Sequence, residues 1–315
     1  MEEINFNGAI EEIPTGQEAL IGSFAPTTRP DTYMVDFAGT IEMQKQTPSC
    51  GAHAGQSLKQ VLEDFRGSPE YLWKKIRQSD GLSPNEGSNM STIMKVLQKI
   101  GICNFNLLPN NPVNNASYAD PSTLTPEMDT DASSHKIDTY AFEFNPTFEQ
   151  IKQAIYDHKG VVMLLKVGAE WWTKADGSGN SWAEKDILPL RTNVPITSGH
   201  FVTAFAYDEN YIYFINEWSS AWGRAGIGYF GSDYAPRCVQ IGTAVNTTIN
   251  KYIFTKVLQY GSKGYDVKQL QTKLGIPADG IFGNQTKQAV ITFQLLHNLV
   301  EDGIVGILTN NLLNQ

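Results

Sequence analysis

Three residue types that together can cleave a carbonyl bond lie in separate segments of the chain: Cys50, His200 and Asn216. A cysteine acts as a nucleophile in its thiolate form, and a neighbouring imidazole can take the proton of the thiol. An amide oxygen can hold that imidazole in one tautomer and orientation. Each residue also has an ordinary structural role, as a small buried hydrophobe, a histidine at a strand end or a capping asparagine. The chemistry therefore requires that the fold bring the three together.

The sequence around Cys50 predicts how the thiol is held. Thr-Pro-Ser precedes it, and a run with helical spacing follows, which includes Ala54, Leu58, Val61 and Phe65. We expect Cys50 in the first turn of this helix. There the free amide groups and the helix dipole favour a thiolate.

The sequence around the other two residues predicts a β-hairpin. Asp-Glu-Asn at residues 208–210 reads as a tight turn between two β-rich runs. If Tyr207 pairs with Tyr211, His200 lies opposite position 218 and Asn216 opposite position 202. Both numbers are even, so both side chains fall on one face of the hairpin as diagonal neighbours. We therefore expect Asn216 to orient His200.

Composition excludes several classes of protein. The 315 residues include 24 Lys plus Arg and 33 Asp plus Glu, and a net charge of −9 argues against a protein that grips nucleic acid. No run of eighteen apolar residues occurs, and the acidic start does not resemble an export signal, so we expect no membrane span. Cys50, Cys103 and Cys238 are too far apart for a usual zinc site or disulfide framework. We expect no metal and no other cofactor.

The order of elements predicts the fold class. Helical spacing dominates the first part of the chain, including residues 93–100, whereas β-rich runs follow residue 160, at residues 161–165 and 211–215. Helices followed by a sheet predict an α+β domain. Residues 109–135 are rich in Pro, Asn, Ser, Thr and Asp, which predicts a long surface excursion.

Residues 254–315 differ from the rest in composition and pattern. Residues 256–315 hold five lysines and four acidic residues, whereas the rest of the chain is strongly acidic. Asp279–Gly283 and Asp302–Gly306 are near-identical turns, 23 residues apart, each followed by a threonine. Helical spacing precedes and separates them, which predicts a small bundle of three helices. A dimerisation or folding appendage would share this general pattern.

An ordered set of residues in this region is more specific. It comprises Asp266-Val267, Leu270-Gln271, the Asp-Gly-Ile-Phe-Gly turn, Thr286, Ala289-Val290, Phe293-Gln294 and the Asp-Gly-Ile-Val-Gly turn. The set resembles the peptidoglycan-binding type 1 module of wall-active enzymes and covers nearly all of residues 257–315. This resemblance implies that peptidoglycan is a partner of residues 254–315. The alternating acidic ligands of a calcium loop are missing, so the turns do not predict a calcium site.

Two segments of the first part carry a second resemblance. Residues 216–229, with the sequence NEWSSAWGRAGIGY, are similar to the Asn-Ser-Trp-Gly…Trp-Gly…Gly-Tyr signature of papain-like cysteine peptidases. Ser198-Gly199-His200 is similar to the strand of their catalytic histidine. Residues 68–72 and 101–102 also look like the bacterial branch. The resemblance spans roughly residues 30–245 and implies two lobes, one helical and one an antiparallel β lobe.

The family pattern can be aligned with residues 44–53 in two registers, which differ in the residue that takes the nucleophile position. The Cys-Gly-x-Cys form would put His53 in the nucleophile position, which would make the peptidase inactive. The bacterial form has Ser before the Cys and an oxyanion-hole Gln six residues earlier. Gln44 lies six residues before Cys50, whereas Thr47 lies six before His53. We adopt the register with Cys50 as nucleophile, in which His53 is structural.

The resemblance then implies a role for each site residue. Cys50 attacks a peptide carbonyl as thiolate, His200 protonates the leaving amine and Asn216 orients His200. Gln44 and the backbone amide of Cys50 stabilise the oxyanion. These are the roles of an acyl-transfer enzyme, a cysteine endopeptidase.

Substrate contacts are also implied by the resemblance. Residues 86–89 lie where the family has a glycine strip that bonds extended substrate backbone, so Gly87 and Ser88 are candidate substrate-binding residues. Trp218 is a third candidate, and it would also shield the hydrogen bond between Asn216 and His200 from water; the alternative is that it is an ordinary aromatic residue of the core.

The chain departs from the family signature at several positions. Gly51 stands where many relatives have an aromatic residue, and Glu217 and Ser219 replace Ser and Gly. These changes bear on specificity. The leader before residue 30 is too short to resemble the usual inhibitory propeptide, so any latency is expected to work differently.

Together these observations predict an N-terminal extension at 1–29, a papain-like peptidase domain at 30–253 and a peptidoglycan-binding helical domain at 254–315. The predicted function is hydrolysis of peptide bonds in a peptide or protein substrate, by an enzyme tethered to the bacterial cell wall. The alternative is an inactive peptidase-like protein that binds the wall or forms part of a virion. We expect action at the wall or outside the cell, with release by lysis or in a virion.

Overall fold

The computed structural model describes residues 8–15, 18–21, 29–35, 37, 39–168, 171, 195–245, 257–297, 299–306, 309–310 and 313. The chain divides into two compact units, Met1–Asn246 and Thr247–Gln315. The boundary predicted between residues 253 and 254 lies outside the described residues. Within the described part of the chain, every helix is too short or too polar to cross a membrane.

Three helices build the first half of the larger unit: α1 (Cys50–Glu63), α2 (Pro69–Asp80) and α3 (Met90–Lys99). Side chains cap two of them, because Ser68 accepts the amide of Tyr71 and Asn89 accepts the amide of Thr92. Helix α1 is buried along most of its length, since it packs against α2, α3 and the sheet. The thiol at its first residue is therefore held by a rigid, enclosed element.

Residues 109–135 are more regular than predicted. They contain α4 (Asn115–Ala119), a 3₁₀ turn at Pro121–Thr123 and α5 (Pro126–Ser133). The N-cap side chains of these three elements are Asn114, Asp120 and Thr125, and each accepts a backbone amide of the turn that it begins. Most residues of this predicted surface excursion are exposed or half-buried, but it contains short helices, because Pro, Asn, Asp and Thr, which favour loops, are also the residues that begin helices.

The second half of the unit is a six-stranded antiparallel sheet in the order β1-β6-β2-β3-β4-β5. Its strands are β1 (Thr139–Phe144), β2 (Val161–Gly168), β3 (Ile196–Tyr207), β4 (Ile212–Ile215), β5 (Ile227–Phe230) and β6 (Cys238–Val245). Helix α6 (Phe148–His158) packs against β2, β3 and β6. One apolar cluster joins the helices to the sheet and a second joins α6 to it. The predicted α+β class with an antiparallel sheet is confirmed.

The predicted hairpin joins β3 to β4, but its pairing next to the turn differs from the prediction. Tyr207 pairs with Ile212 rather than with Tyr211. A bulge between Ala204 and Ala206 then shifts the register by one, so that Ala204 pairs with Phe214. The shift restores the predicted alignment before the strands reach His200 and Asn216.

The smaller unit contains α7 (Tyr265–Lys273) and α8 (Asn284–Leu296). Residues 309–310 are helical, and most of the predicted third helix lies outside the described residues. A small apolar cluster, which includes Leu270, Phe282 and Val290, forms its core.

The two Asp-Gly turns of this unit are held by equivalent glutamines. Gln271 Nε2 donates to Asp279 Oδ1, to the Ile281 carbonyl and to Thr286 Oγ1, while its Oε1 accepts the Gly280 amide. Gln294, 23 residues later, makes the same four kinds of contact with the second turn. The sequence repeat is therefore a repeat of buried hydrogen bonds.

Candidate active site

The thiol of Cys50 lies at the N-terminus of α1, as predicted, and is wholly buried. Burial raises the pKa of this thiol to about 12, the backbone hydrogen bond from Phe201 acts to lower it, and the nearby Glu217 acts to raise it. Because Phe201 follows His200 in β3, its contact with the thiol brings the start of α1 against the strand that carries the histidine. In this enclosed state burial outweighs the effect of the helix N-terminus, so the thiol is protonated.

The imidazole of His200 is joined to Asn216 by a hydrogen bond of 2.9 Å between Nε2 and Oδ1. Since the amide oxygen can only accept, Nε2 carries a proton and Nδ1 of the neutral ring is left as the basic nitrogen. Burial lowers the pKa of His200 to about 4, and the hydrogen bond with Asn216 acts to raise it. The two residues that the hairpin was predicted to bring together are therefore in contact, and the resting ring is neutral.

Two tryptophans enclose the imidazole. The ring centroid of Trp218 lies 4.9 Å from that of His200, and Trp171 meets His200 edge-on at 5.5 Å. Trp171 is itself held by a hydrogen bond from its Nε1 to the hydroxyl of Tyr234. The position of Trp218 fits the shielding role predicted for it. Trp171 was not predicted, since its only signal in the sequence is an aromatic residue close after an apolar strand.

Gln44, the predicted oxyanion donor, is buried beside the start of α1. Its backbone amide donates to the Glu217 carbonyl at 3.0 Å, and its Nε2 donates to the Thr47 carbonyl at 3.2 Å. Its Oε1 is buried without a partner among the described residues. The side chain is thus near the site but hydrogen-bonded to its own turn.

His53, the other possible occupant of the nucleophile position, makes structural contacts. Its Nδ1 lies 3.0 Å from the Ser49 carbonyl, and its ring stacks on Tyr118. Burial lowers the pKa of His53 to about 4. A neutral, packed imidazole on α1 agrees with the register in which Cys50 is the nucleophile.

Gly87 and Ser88, the predicted substrate-binding residues, form an extended strip before α3. Arg77 holds this strip from behind, because its guanidinium donates to the carbonyls of Glu86 and Gly87 at 2.9 and 2.8 Å. Arg77 also stacks on Trp73. This positioning role of Arg77 was not predicted.

Residues of the N-terminal extension lie along the strip. The amide of Ile10 donates to the Ser88 carbonyl at 2.8 Å, and the Ser88 amide donates to the Gly8 carbonyl at 3.2 Å, which is a parallel bridge centred on Ala9. A Cβ atom on Gly8 would lie only 2.5 Å from the Cys50 sulfur. The chain therefore passes directly over the thiol.

An open part of the cleft is left beside this segment. A cavity of about 370 Å³ is lined by residues 9–10, 85–87 and 198–199. The lining thus comes from the extension, from the strip and from the two residues before His200.

Glu217 adds a buried carboxyl group next to the site. Its Oε1 accepts a hydrogen bond from Ser57 of α1 at 2.9 Å, and its Oε2 has no partner among the described residues. Burial raises the pKa of Glu217 to about 8, while the Ser57 hydrogen bond acts to lower it. The residue that departs from the family signature is therefore an acid that is protonated at neutral pH.

The fold of the larger unit is that of papain-like cysteine proteases. Xylellain, a cysteine protease from Xylella fastidiosa, superimposes with a TM-score of 0.64 at 17% identity, over 78% of this chain and 98% of xylellain. Procathepsin B S9 from Trypanosoma congolense gives 0.57 at 12% identity, over 76% of this chain and 86% of that protein. Bromelain from Ananas comosus gives a TM-score of 0.51 at 15% identity, over 69% of this chain and 100% of bromelain.

The family assignment of the smaller unit rests on sequence. Residues 263–313 match the family model described as a putative peptidoglycan binding domain. The chain thus combines a papain-like fold with a peptidoglycan-binding module at its C-terminus, in agreement with both predicted resemblances.

Proposed function

We propose that this chain is a cysteine endopeptidase that acts through Cys50, His200 and Asn216 and is tethered to bacterial cell wall by residues 254–315. The observation that carries the proposal is the hydrogen bond between His200 Nε2 and Asn216 Oδ1, together with the hydrogen bond that the backbone of Phe201, the residue after His200, makes to the thiol of Cys50. That bond leaves Nδ1 as the base, which is what a thiol nucleophile requires. The papain-like fold supports the same assignment.

In the proposed reaction His200 Nδ1 takes the proton of the Cys50 thiol, and the thiolate adds to the carbonyl carbon of a peptide bond. The C–N bond then breaks as the imidazolium gives its proton to the leaving amine, which yields a thioester. A water adds to the thioester carbonyl and gives a proton to Nδ1. That proton returns to the sulfur as the acid product leaves.

The oxyanion is assigned to the Gln44 side chain and the Cys50 amide. Gln44 Nε2 donates one of its two hydrogens to the Thr47 carbonyl in the resting state, and the second hydrogen is the one assigned to the oxyanion when a substrate binds. Ser88 and Gly87 hold the backbone of the substrate, and Trp218 keeps water from the His200–Asn216 bond.

The wall tether acts by raising local concentration. A module that binds peptidoglycan weakly still increases the rate at which a linked active site meets substrate in the wall, without any new contact at the thiol. Both wall peptides and proteins near the wall are substrates that this arrangement could serve. Mass spectrometry of the fragments released from purified sacculi and from a protein mixture would decide between them.

The test of the catalytic proposal is selective labelling of the thiol combined with hydrolysis. An epoxide peptide probe should modify Cys50 in preference to Cys103 and Cys238, which are also buried free thiols. Cys50→Ala should abolish hydrolysis of a peptide substrate, whereas the matched variant Cys103→Ala should retain it. Equal, slow labelling of all three thiols would favour the alternative, an inactive protein that binds the wall or forms part of a virion. This alternative needs a test because the Cys50 thiol is buried.

The tether has its own test. A chain that ends at residue 253 should no longer sediment with purified sacculi, while Cys50→Ala in the full-length chain should sediment normally. Circular dichroism of both variants checks that they are folded. Unchanged sedimentation of the shortened chain would remove the assignment of residues 254–315 to the wall.

A further inference from the structure

The carboxylate of Glu12 is held by three donors. Its Oε2 accepts the backbone amide of Ser91 at 3.0 Å and Nε2 of Gln240 at 3.2 Å. The hydroxyl of Ser91 donates to Oε1. Glu12 is only half-buried, so a side chain that could point into water instead points into this group of donors.

The donors belong to the framework and not to the segment that they hold. Ser91 lies in the first turn of α3, which Asn89 caps, and an amide at a helix N-terminus favours an anion. Gln240 is in β6, paired with Leu164 of β2 and Phe144 of β1, and is 1% exposed. Its Oε1 has no partner among the described residues, and its Nε2 donates to Glu12. The helical half and the sheet therefore contribute donors to a single preset site.

Three residues of chain, 9–11, connect the site to the segment that covers Cys50. Gly8 lies over the sulfur, Ala9 is bridged to Ser88, and Glu12 reaches the donors. A substrate peptide that follows the path of residues 8–12 past the strip would place one of its side chains at the donors of Ser91 and Gln240. The half-buried Lys166, which pairs with Glu11 at 3.2 Å, adds positive charge beside this path.

We propose that Ser91 and Gln240 form a carboxylate-binding subsite of the cleft, filled here by Glu12, and that the enzyme selects peptides with an acidic side chain in that place. The inference rests on the proposed function, and it names the substrate class. It also makes residues 8–12 a competitor of the substrate, because both need the same donors. Substrate enters when an acidic peptide displaces Glu12.

The first test measures access to Cys50 without turnover. In the full-length chain, Glu12→Ala should raise the rate of Cys50 alkylation by iodoacetamide about tenfold or more, because the segment over the sulfur loses its anchor. Glu11→Ala is the matched control, since it removes a neighbouring acid that makes an exposed ion pair, and it should change the rate by less than about twofold. Equal rates in the wild type and Glu12→Ala would overturn the proposal.

The second test measures the preference for a carboxylate. The peptide Gly-Ala-Ile-Glu-Glu, amidated at its C-terminus, should slow alkylation of Glu12→Ala, whereas Gly-Ala-Ile-Glu-Gln should protect about tenfold less well. Gln240→Ala or Ser91→Ala, each added to Glu12→Ala, should remove this preference. Two substitutions are used because one buried change can impair folding. Equal protection by the two peptides, or none by either, would overturn the proposal. If the wild-type chain hydrolyses no peptide, the proposed function fails. The alkylation rates do not depend on turnover, so they still test the subsite.

Discussion

Nε2 of His200 lies 2.9 Å from Oδ1 of Asn216, although 16 residues and a hairpin separate them along the chain. A bulge between Ala204 and Ala206 makes this contact possible, because it changes the register of β3 against β4 by one residue. Without the bulge, Asn216 would be displaced by one position along β3. The bulge is therefore part of what assembles the candidate site.

Asn216→Ala should lower kcat by about 10- to 100-fold with a smaller effect on KM, because the imidazole loses the acceptor that sets its tautomer. Steady-state kinetics on a peptide substrate measures both constants. Asn210→Ala is the matched control, since Asn210 is an exposed asparagine in the turn of the same hairpin, and it should behave as wild type. An unchanged kcat in Asn216→Ala would show that Asn216 does not orient the catalytic base.

Glu12→Ala should lower the pKa of the Cys50 thiol. In the wild type, burial raises this pKa to about 12, so few thiolates form near the ordinary cysteine pKa of about 8.5. When the segment over the sulfur is released, water reaches the thiol and the charged form is less disfavoured. Thiolate absorbance in the ultraviolet, followed against pH, should rise at lower pH in Glu12→Ala than in the wild type. Cys50→Ala identifies the signal, and coincident titration curves would contradict the prediction.

The sequence was sufficient to predict the elements with strong local signals. The helical spacing of apolar residues after Cys50 predicted α1. The even positions of His200 and Asn216 put both side chains on one face of the hairpin, which predicted their contact. The α+β class and the C-terminal module also followed from patterns within short segments. These features depend on near neighbours in the chain, which a single sequence records.

What could not be predicted depends on contacts between distant segments. The burial that keeps the Cys50 thiol protonated comes in part from Gly8, and nothing local in either sequence indicates that they meet. The buried environment of the Glu217 carboxyl group likewise depends on a distant residue, Ser57 of α1, which donates to its Oε1. The helices within residues 109–135 were missed for a different reason, because their N-capping residues also favour loops.

Gln271→Leu and Gln294→Leu should each destabilise the smaller unit by about 3 kcal/mol, because each removes a set of buried hydrogen bonds and leaves donors and acceptors unpaired. The two effects should be similar, since the contacts are equivalent. Denaturant unfolding measures the loss, and hydrogen exchange at Gly280 and Gly303 should report which turn has opened. Gln288→Leu is the matched control, because Gln288 is an exposed glutamine of α8. Wild-type stability in both variants would refute a structural role for the repeat.

Glu217→Gln should change how the stability of the larger unit depends on pH. Burial raises the pKa of Glu217 to about 8 in the folded chain, whereas an unfolded glutamate has a pKa of about 4.3. Between these values the unfolded chain releases a proton that the folded chain keeps. The contribution of Glu217 to stability is therefore complete below about pH 4.3 and falls by up to about 1.4 kcal/mol per pH unit until pH 8.

Glutamine cannot ionise, so Glu217→Gln should lack this part of the decline and be relatively more stable than the wild type at pH 8. Ser57→Ala removes the hydrogen bond that acts to lower the pKa of Glu217, and its decline should therefore extend to higher pH. Denaturant unfolding at a series of pH values measures both slopes against the wild type. Parallel curves for the wild type and Glu217→Gln would mean that this carboxyl group ionises in the folded chain as readily as in the unfolded one, and that it is not the buried neutral acid beneath the candidate site.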